Sequence, residues 1–191
     1  MYAIAIQNAC TLHHNELWKL REDTYTALWN KYDETEQDAI AEMTALYSIA
    51  LEEEMSDILG HIFMESGAGS ASAGQFFTPF HVSEMVADLG TPDEILDDPI
   101  IKMTEPSIGS GGMVIATAKY LKSKGINYQK RLKVVGQDLD WLAVYMSYIQ
   151  LSLLGIDAVI VQGDTLSEPY IPGKTEPRRI LRTPRNTGAI W

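Results

Sequence analysis

The sequence predicts an α/β domain, with about four mainly parallel strands preceded by a helical N-terminal region. Three observations predict it. Apolar residues recur at helical spacing between residues 15 and 64. From Ile100 onward, short apolar runs alternate with helical stretches, as βαβ units require. Between the two lies SGAGSASAG, residues 66–74, whose small residues read as a flexible loop. The boundaries that follow are a helical region over 1–65, the loop over 66–74 and an α/β domain over 75–191.

Taken in order, the first element is a helix over about 15–30 carrying Leu17, Trp18, Tyr25, Leu28 and Trp29. A single long amphipathic helix follows from about 34 to 64. Its apolar stripe is Ile40, Met43, Leu46, Tyr47, Ala50, Leu51, Met55, Ile58, Leu59 and Ile62, with Asp33 or Thr35 as N-cap and a bend near Gly60. The two stripes are expected to pack together as core. Then come the strand IIKMT, a glycine-rich turn and the helix MVIATAKYLKSK. The strand LKVVGQ leads into the helix WLAVYMSYIQLSLLG, with Asp140 as its N-cap. AVIVQG, a Pro-containing loop and the short strand RRILR complete the pattern. Right-handed crossovers predict helices on both faces of the sheet.

Composition narrows the class. The chain has 191 residues, 46% hydrophobic and 21% charged, which excludes disordered and fibrous proteins. No run approaches the roughly 18 apolar residues that a membrane span needs, and the N-terminus lacks the features of a signal peptide. The expectation is a cytoplasmic protein. Cys10 is the one cysteine, expected to be an inert buried or half-buried thiol, and no Cys/His spacing suggests a metal site. Charge is divided unequally: residues 1–100 carry −16 and residues 101–191 carry +5. The acidic half reads either as a solvated helical surface or as a contact surface for a partner.

The candidate chemistry lies in the turn TEPSIGSGGM, residues 104–113. Gly109, Gly111 and Gly112 let backbone approach a ligand closely, at the start of a helix with free N–H groups. The turn matches neither the phosphate-cradling G-x-x-x-x-G-K-[ST] nor G-x-G-x-x-G. Asp138 ends the second strand and Asp164 follows the third, so polar groups converge at the carboxyl ends of the strands. These residues alone leave a nucleotide, a dinucleotide and an empty tight turn all open.

Five strings in order carry a resemblance: DILGHIF (57–63), QFFTP (75–79), EPSIGSGGM (105–113), VVGQDLD (134–140) and GDTL (163–166). Together they resemble the N6-adenine DNA methyltransferases, most of all the methylation subunits of type I restriction-modification systems. The resemblance implies a Rossmann-like, S-adenosylmethionine-dependent methyltransferase sheet of seven strands, of which about four are read here, so the domain is expected to be partial. It implies S-adenosyl-L-methionine as cofactor. Gln75, Phe76, Phe77, Thr78, Pro79 and Phe80 then correspond to the segment closing over the methionine end; Thr78-Pro79 is also a helix-start pair. Glu105, followed by Pro106 and Ser107, stands where the family has an acceptor for the cofactor's amino group. Gly109, Ser110, Gly111, Gly112 and Met113 would pass beneath the cofactor, with Ile108 at a position that is commonly small or Cys. Asp138 would hold the ribose hydroxyls, Leu139 would pack on the adenine, and Asp164, with Leu166 nearby, would accept from the adenine amino group.

One departure accompanies the match. Adenine-modifying members carry Asn-Pro-Pro-Tyr/Phe after the fourth strand, where the amide accepts from the target amine and the ring stacks on the flipped base. After RRILR this chain reads Thr183, Pro184, Arg185, Asn186, a degenerate form of that position, with Asn186 and Trp191 as candidates to substitute. Arg178, Arg179, Arg182 and Arg185 read as contacts to DNA phosphates beside the substrate edge, or as a disordered basic tail. The resemblance therefore implies an adenine-N6 DNA methyltransferase-like protein of the type I class. The alternative is an inactive cofactor-binding protein that modulates or mimics a restriction-modification complex. DNA is one expected partner. Restriction-modification subunits or a second copy, docking through an open sheet edge, are the other.

Overall fold

The computed structural model describes residues 1–11, 15–67 and 76–186. Gln75, Trp191 and most of the small-residue tract therefore lie outside the described residues.

Four helices come first: α1 (Tyr2–Ala9), α2 (Glu16–Trp29), α3 (Glu34–Glu53) and α4 (Ile58–Glu65). Asn15 caps α2 by accepting from the Trp18 N–H at 2.9 Å. Asp33 caps α3 in a reciprocal box with Glu36. The single long helix expected over 34–64 is two helices. The chain leaves α3 at Glu54 in extended backbone, and Asp57 caps α4 by accepting from the Gly60 N–H at 2.9 Å. The apolar stripe is also less buried than expected: Met43 is 62% and Leu46 58% exposed, and α2 buries no residue. Instead α1, which the sequence reading passes over, packs against α2 and against the later helix Trp141–Leu153. Cys10 is exposed, against the expectation of a buried or half-buried thiol.

The second part runs α5 (Phe80–Gly90), a 3-10 turn (Asp93–Asp97), β1 (Ile101–Glu105), α6 (Gly112–Ser123), α7 (Tyr128–Arg131), β2 (Leu132–Asp138), α8 (Trp141–Leu153), β3 (Asp157–Gln162), a 3-10 turn (Pro177–Arg179) and β4 (Ile180–Arg182). The strand order is β1-β2-β3-β4. β1, β2 and β3 are parallel, and β4 runs antiparallel to β3. This is an α/β fold with a mainly parallel sheet and helices ahead of it. Registers of Glu105 with Gly136 and Asp138 with Gln162 set the carboxyl ends of the three parallel strands side by side.

A sheet that grows steadily in one direction places successive right-handed crossovers on the same face. Accordingly Val114, Ile115 and Leu121 of α6 and Val144, Tyr148 and Leu151 of α8 join one fully buried cluster with Leu132, Val134, Ala158 and Ile160. Helices on both faces, the expectation from the sequence, would need the strand order to reverse, and it does not. The other face is polar toward β1. There Lys102 pairs in register with Lys133, and Lys133 forms an ion pair with Asp157. Among the described residues no helix is long and apolar enough to cross a membrane.

Candidate functional site

Between β1 and α6 the backbone turns within residues 106–111. Gly109 (φ 55°) and Gly111 (φ 98°) occupy left-handed conformations that side chains disfavour. Three bonds anchor the turn: Ile108 N–H to the Gln137 carbonyl at 3.0 Å, Gly109 N–H to Asp138 Oδ2 at 2.9 Å, and Gly111 N–H to the Ile108 carbonyl at 2.9 Å. Ile108 is buried and fills the space over Gly136, where an added Cβ would overlap its Cδ1. No side chain caps α6, so its first turn keeps free N–H groups.

Over this turn lies a cleft of about 440 Å³ lined by Phe76, Phe77, Thr78, Glu105, Ser107, Gly109, Ser110, Gly112, Met113 and Asp138, with Asp57, Ser83 and Ile108. Ten of the residues expected at the cofactor therefore come together from three separate stretches of chain. Phe77 stacks its edge over Gly109 and packs on Phe63 with ring centres 5.1 Å apart. Pro79 and Phe80 line an adjoining cavity, behind the Phe77–Thr78 wall. Pro106, Gly111, Leu139, Asp164 and Leu166 do not line the cleft. Leu139 is 66% and Leu166 94% exposed. Asp164 caps its own loop by accepting from the Leu166 and Ser167 N–H groups, which lowers its carboxyl from the usual range. That loop is tied to the turn by the Thr165 hydroxyl, which donates to the Pro106 carbonyl at 2.6 Å.

The cleft is acidic. Asp57, Glu105 and Asp138 line it, with no Lys, Arg or His among the lining residues. Burial raises the Glu105 carboxyl above its ordinary value, and the Asp138 charge adds to the rise while the Ser107 N–H opposes it. Asp138 is held at both oxygens, since Oδ1 accepts from the Asp140 N–H at 3.1 Å. Asp140 caps α8 through the Leu142 N–H, as its place before the apolar run predicts. Among the described residues no group of three His, Cys, Asp or Glu could hold a metal ion.

The Thr183–Asn186 segment requires a correction. Because β4 is antiparallel, its carboxyl end lies beside the start of β3, at the sheet end opposite the cleft. The Thr183 hydroxyl donates to the Ile156 carbonyl at 2.7 Å, and Asn186 donates to Asp157 at 2.6 Å. Arg185 donates to the Gln129 carbonyl at 3.0 Å, while Pro184 is exposed. These residues tie β4 to the start of β3 and do not line the cleft. Of the four arginines, Arg178 and Arg179 lie in the 3-10 turn before β4, Arg182 ends β4 and Arg185 follows it. Arg179 is paired with Glu168 at 2.7 Å, Arg182 contacts Asn186 and Tyr170, and Arg178 is exposed.

Sequence reasoning gave no role to Asp57, Ser83 or Gln150. Asp57 stands in the DILGHIF string, and an Asp directly before the apolar pair Ile58–Leu59 is itself a helix-start signal.

Three solved structures resemble the chain loosely. A type I restriction-modification system methyltransferase subunit from Streptococcus thermophilus is 18% identical over 52% of this chain and 21% of its own, at a TM-score of 0.44. A protein described as a class I S-adenosylmethionine-dependent methyltransferase, from Listeria monocytogenes, is 16% identical over 89% and 55%, at 0.47. One described as a modification subunit of a type I restriction enzyme, from Vibrio vulnificus, is 17% identical over 72% and 26%, at 0.45. The chain thus spans between about a fifth and just over half of these proteins. None of the curated proteins compared matches it. The model of the N-6 DNA Methylase family, however, matches residues 52–185, more than half of the chain and the whole of the cleft described above, and the chain belongs to that family.

Proposed function

We propose that this chain forms the S-adenosylmethionine-binding part of an adenine-N6 DNA methyltransferase of the type I restriction-modification class. The observation that carries the proposal is the charge of the cleft. Glu105 and Asp138 present carboxyl groups to it, the Asp57 carboxyl in its lining is buried and hydrogen-bonded, and no cation lines it. Such a site repels a phosphate-bearing nucleotide and attracts a ligand carrying sulfonium and ammonium charges. Among the ligands that a glycine-rich turn allows, this charge supports the sulfonium cofactor. Its volume is in the range of small-molecule sites.

When bound, the cofactor supplies an electrophilic methyl group on sulfur. The chain's own residues bind and orient. Asp138, pinned by Gly109 and Asp140, keeps lone pairs free for ribose hydroxyls. Glu105 faces the cleft as an acceptor, and the uncapped first turn of α6 offers N–H donors to a carboxylate. Phe76, Phe77 and Thr78 form the opposite wall. DNA and restriction-modification subunits are the partners this reading assigns.

A second reading, cofactor binding without transfer, is favoured by one observation: no side-chain amide lines the cleft among the described residues to accept from a target amine. Calorimetric titration tests the common part. S-adenosylmethionine is expected to bind saturably, NAD not at all, and Asp138→Ala to weaken binding about a hundredfold; no binding at millimolar cofactor overturns the proposal. Transfer of labelled methyl to unmethylated DNA then separates the two readings.

A further inference from the structure

Asp57, whose carboxyl is among those lining the cleft, also reaches into the glycine turn through Ser110. Asp57 is 5% exposed, and none of the ion pairs among the described residues includes it. A buried carboxylate without a cation is costly unless hydrogen bonds replace its water. They do here. Oδ1 accepts from the Gly60 N–H at 2.9 Å and from the Gln150 amide at 2.7 Å, and Oδ2 accepts from the Ser110 hydroxyl at 2.5 Å.

Gln150 of α8 is fully buried and fully used. Its second amide hydrogen goes to the Ser110 carbonyl at 2.7 Å, and its oxygen accepts from the Leu59 N–H at 3.1 Å. Ser110 is thus gripped at both its hydroxyl and its carbonyl. It is the residue between the two left-handed glycines, where the backbone has the least intrinsic preference for one shape. The fit is tight as well as polar. A Cβ added at Gly60 would overlap Asp57 Oδ2 and Ser110 Oγ, and one at Gly112 would come within 2.9 Å of Asp57 Oδ2. The carboxylate is wedged between the starts of α4 and α6.

We propose that Asp57 is a positioning residue for the glycine turn: through Ser110 it fixes the turn in its cleft-lining shape, and through Gly60 it ties that shape to the start of α4. Only the cofactor arm of the test rests on the S-adenosylmethionine reading.

Hydrogen exchange on the ligand-free chain is the first readout, with S-adenosylmethionine and S-adenosylhomocysteine affinities as the second. Asp57→Ala is expected to speed exchange at 108–115 by about tenfold or more while leaving β3 unchanged, and to weaken both ligands by a similar factor. Asp57→Asn is expected to restore both readouts to within about threefold, because its oxygen still accepts from Gly60 and Gln150 and its amide donates to Ser110. Unchanged exchange at 108–115 in Asp57→Ala overturns the proposal. If Asp57→Ala does not fold, Ser110→Ala, which leaves the Gly60 and Gln150 bonds in place, must show the same local acceleration, and its absence is equally fatal. An Asn variant that binds the neutral homocysteine product normally but loses the sulfonium cofactor would make Asp57 a charge partner, which also overturns positioning. A wild-type chain that binds neither ligand while the exchange pattern holds leaves positioning standing and removes the cofactor reading alone.

Discussion

Asp138 Oδ2 accepts the Gly109 N–H at 2.9 Å, so the carboxylate that ends β2 also sets the height of the glycine turn after β1. One residue thus shapes the cleft floor and faces the ligand. Asp138→Ala removes both functions. Two lost hydrogen bonds to a charged group correspond to about 3 kcal/mol or more in binding, roughly a hundredfold in S-adenosylmethionine affinity by calorimetry. Asp138→Asn can satisfy only one of the Gly109 and Asp140 N–H donors with its single oxygen, and is expected to fall between the two.

Ile108 and Gly136 form a matched pair across the β1–β2 boundary. Gly136→Ala places a methyl group onto Ile108 Cδ1. Overpacking of this kind costs about 1–3 kcal/mol. Ile108→Val removes the clashing carbon, and alone costs about 0.5–1.5 kcal/mol. The double variant is therefore expected to be more stable than the sum of the single losses predicts. Urea denaturation of all four proteins measures the coupling, and strict additivity would show that the two side chains do not meet.

Thr183 is 1% exposed and bridges the start of β3, accepting from the Ala158 N–H at 2.9 Å and donating to the Ile156 carbonyl. Thr183→Ala leaves both buried backbone groups short of a partner, at a cost of about 1–3 kcal/mol. Cofactor affinity is expected to stay unchanged, because the residue sits at the far end of the sheet. A loss of affinity without a loss of stability would return the segment to the cleft.

Asp138, the Ile108–Gly136 pair and Thr183 show what the sequence makes legible and where it stops. The floor of the cleft was readable, because glycines in a strand-to-helix turn and an acid at the end of the next strand have local causes. Asp140 was readable for the same reason, as an acid directly before an apolar run. The direction of β4 is not evident from the apolar pattern, although the sequence carries a signal for it. Residues 163–176 contain Pro169, Pro172 and Gly173, which leaves no room for the crossover helix that a parallel return needs. The break at Asp57 was hidden because apolar spacing continues through Met55, Ile58, Leu59 and Ile62. Its reason, the bond to Gln150, lies 93 residues away. Exposure of Met43 and Leu46 was equally invisible, since periodicity states that a helix has an apolar face but not what meets it.

Glu105 gives a pH prediction with a definite sign. Its carboxyl is raised, first by burial and then by Asp138. Between its unfolded and folded values the native chain holds more protons than the unfolded chain, so stability falls as pH rises through that window and is flat above it. Glu105→Gln removes the penalty. The variant is expected to gain stability over wild type above the window and to show no difference below the ordinary glutamate range. A cationic ligand acts in the opposite sense, since it favours the ionised form and lowers the raised value. S-adenosylmethionine affinity should therefore strengthen as pH rises through the folded value, with protons released on binding, measurable from calorimetric heats in buffers of different ionisation enthalpy. The neutral homocysteine product lacks the sulfonium and should show a weaker dependence. Equal pH profiles for the two ligands would mean that Glu105 does not sense the charge on sulfur.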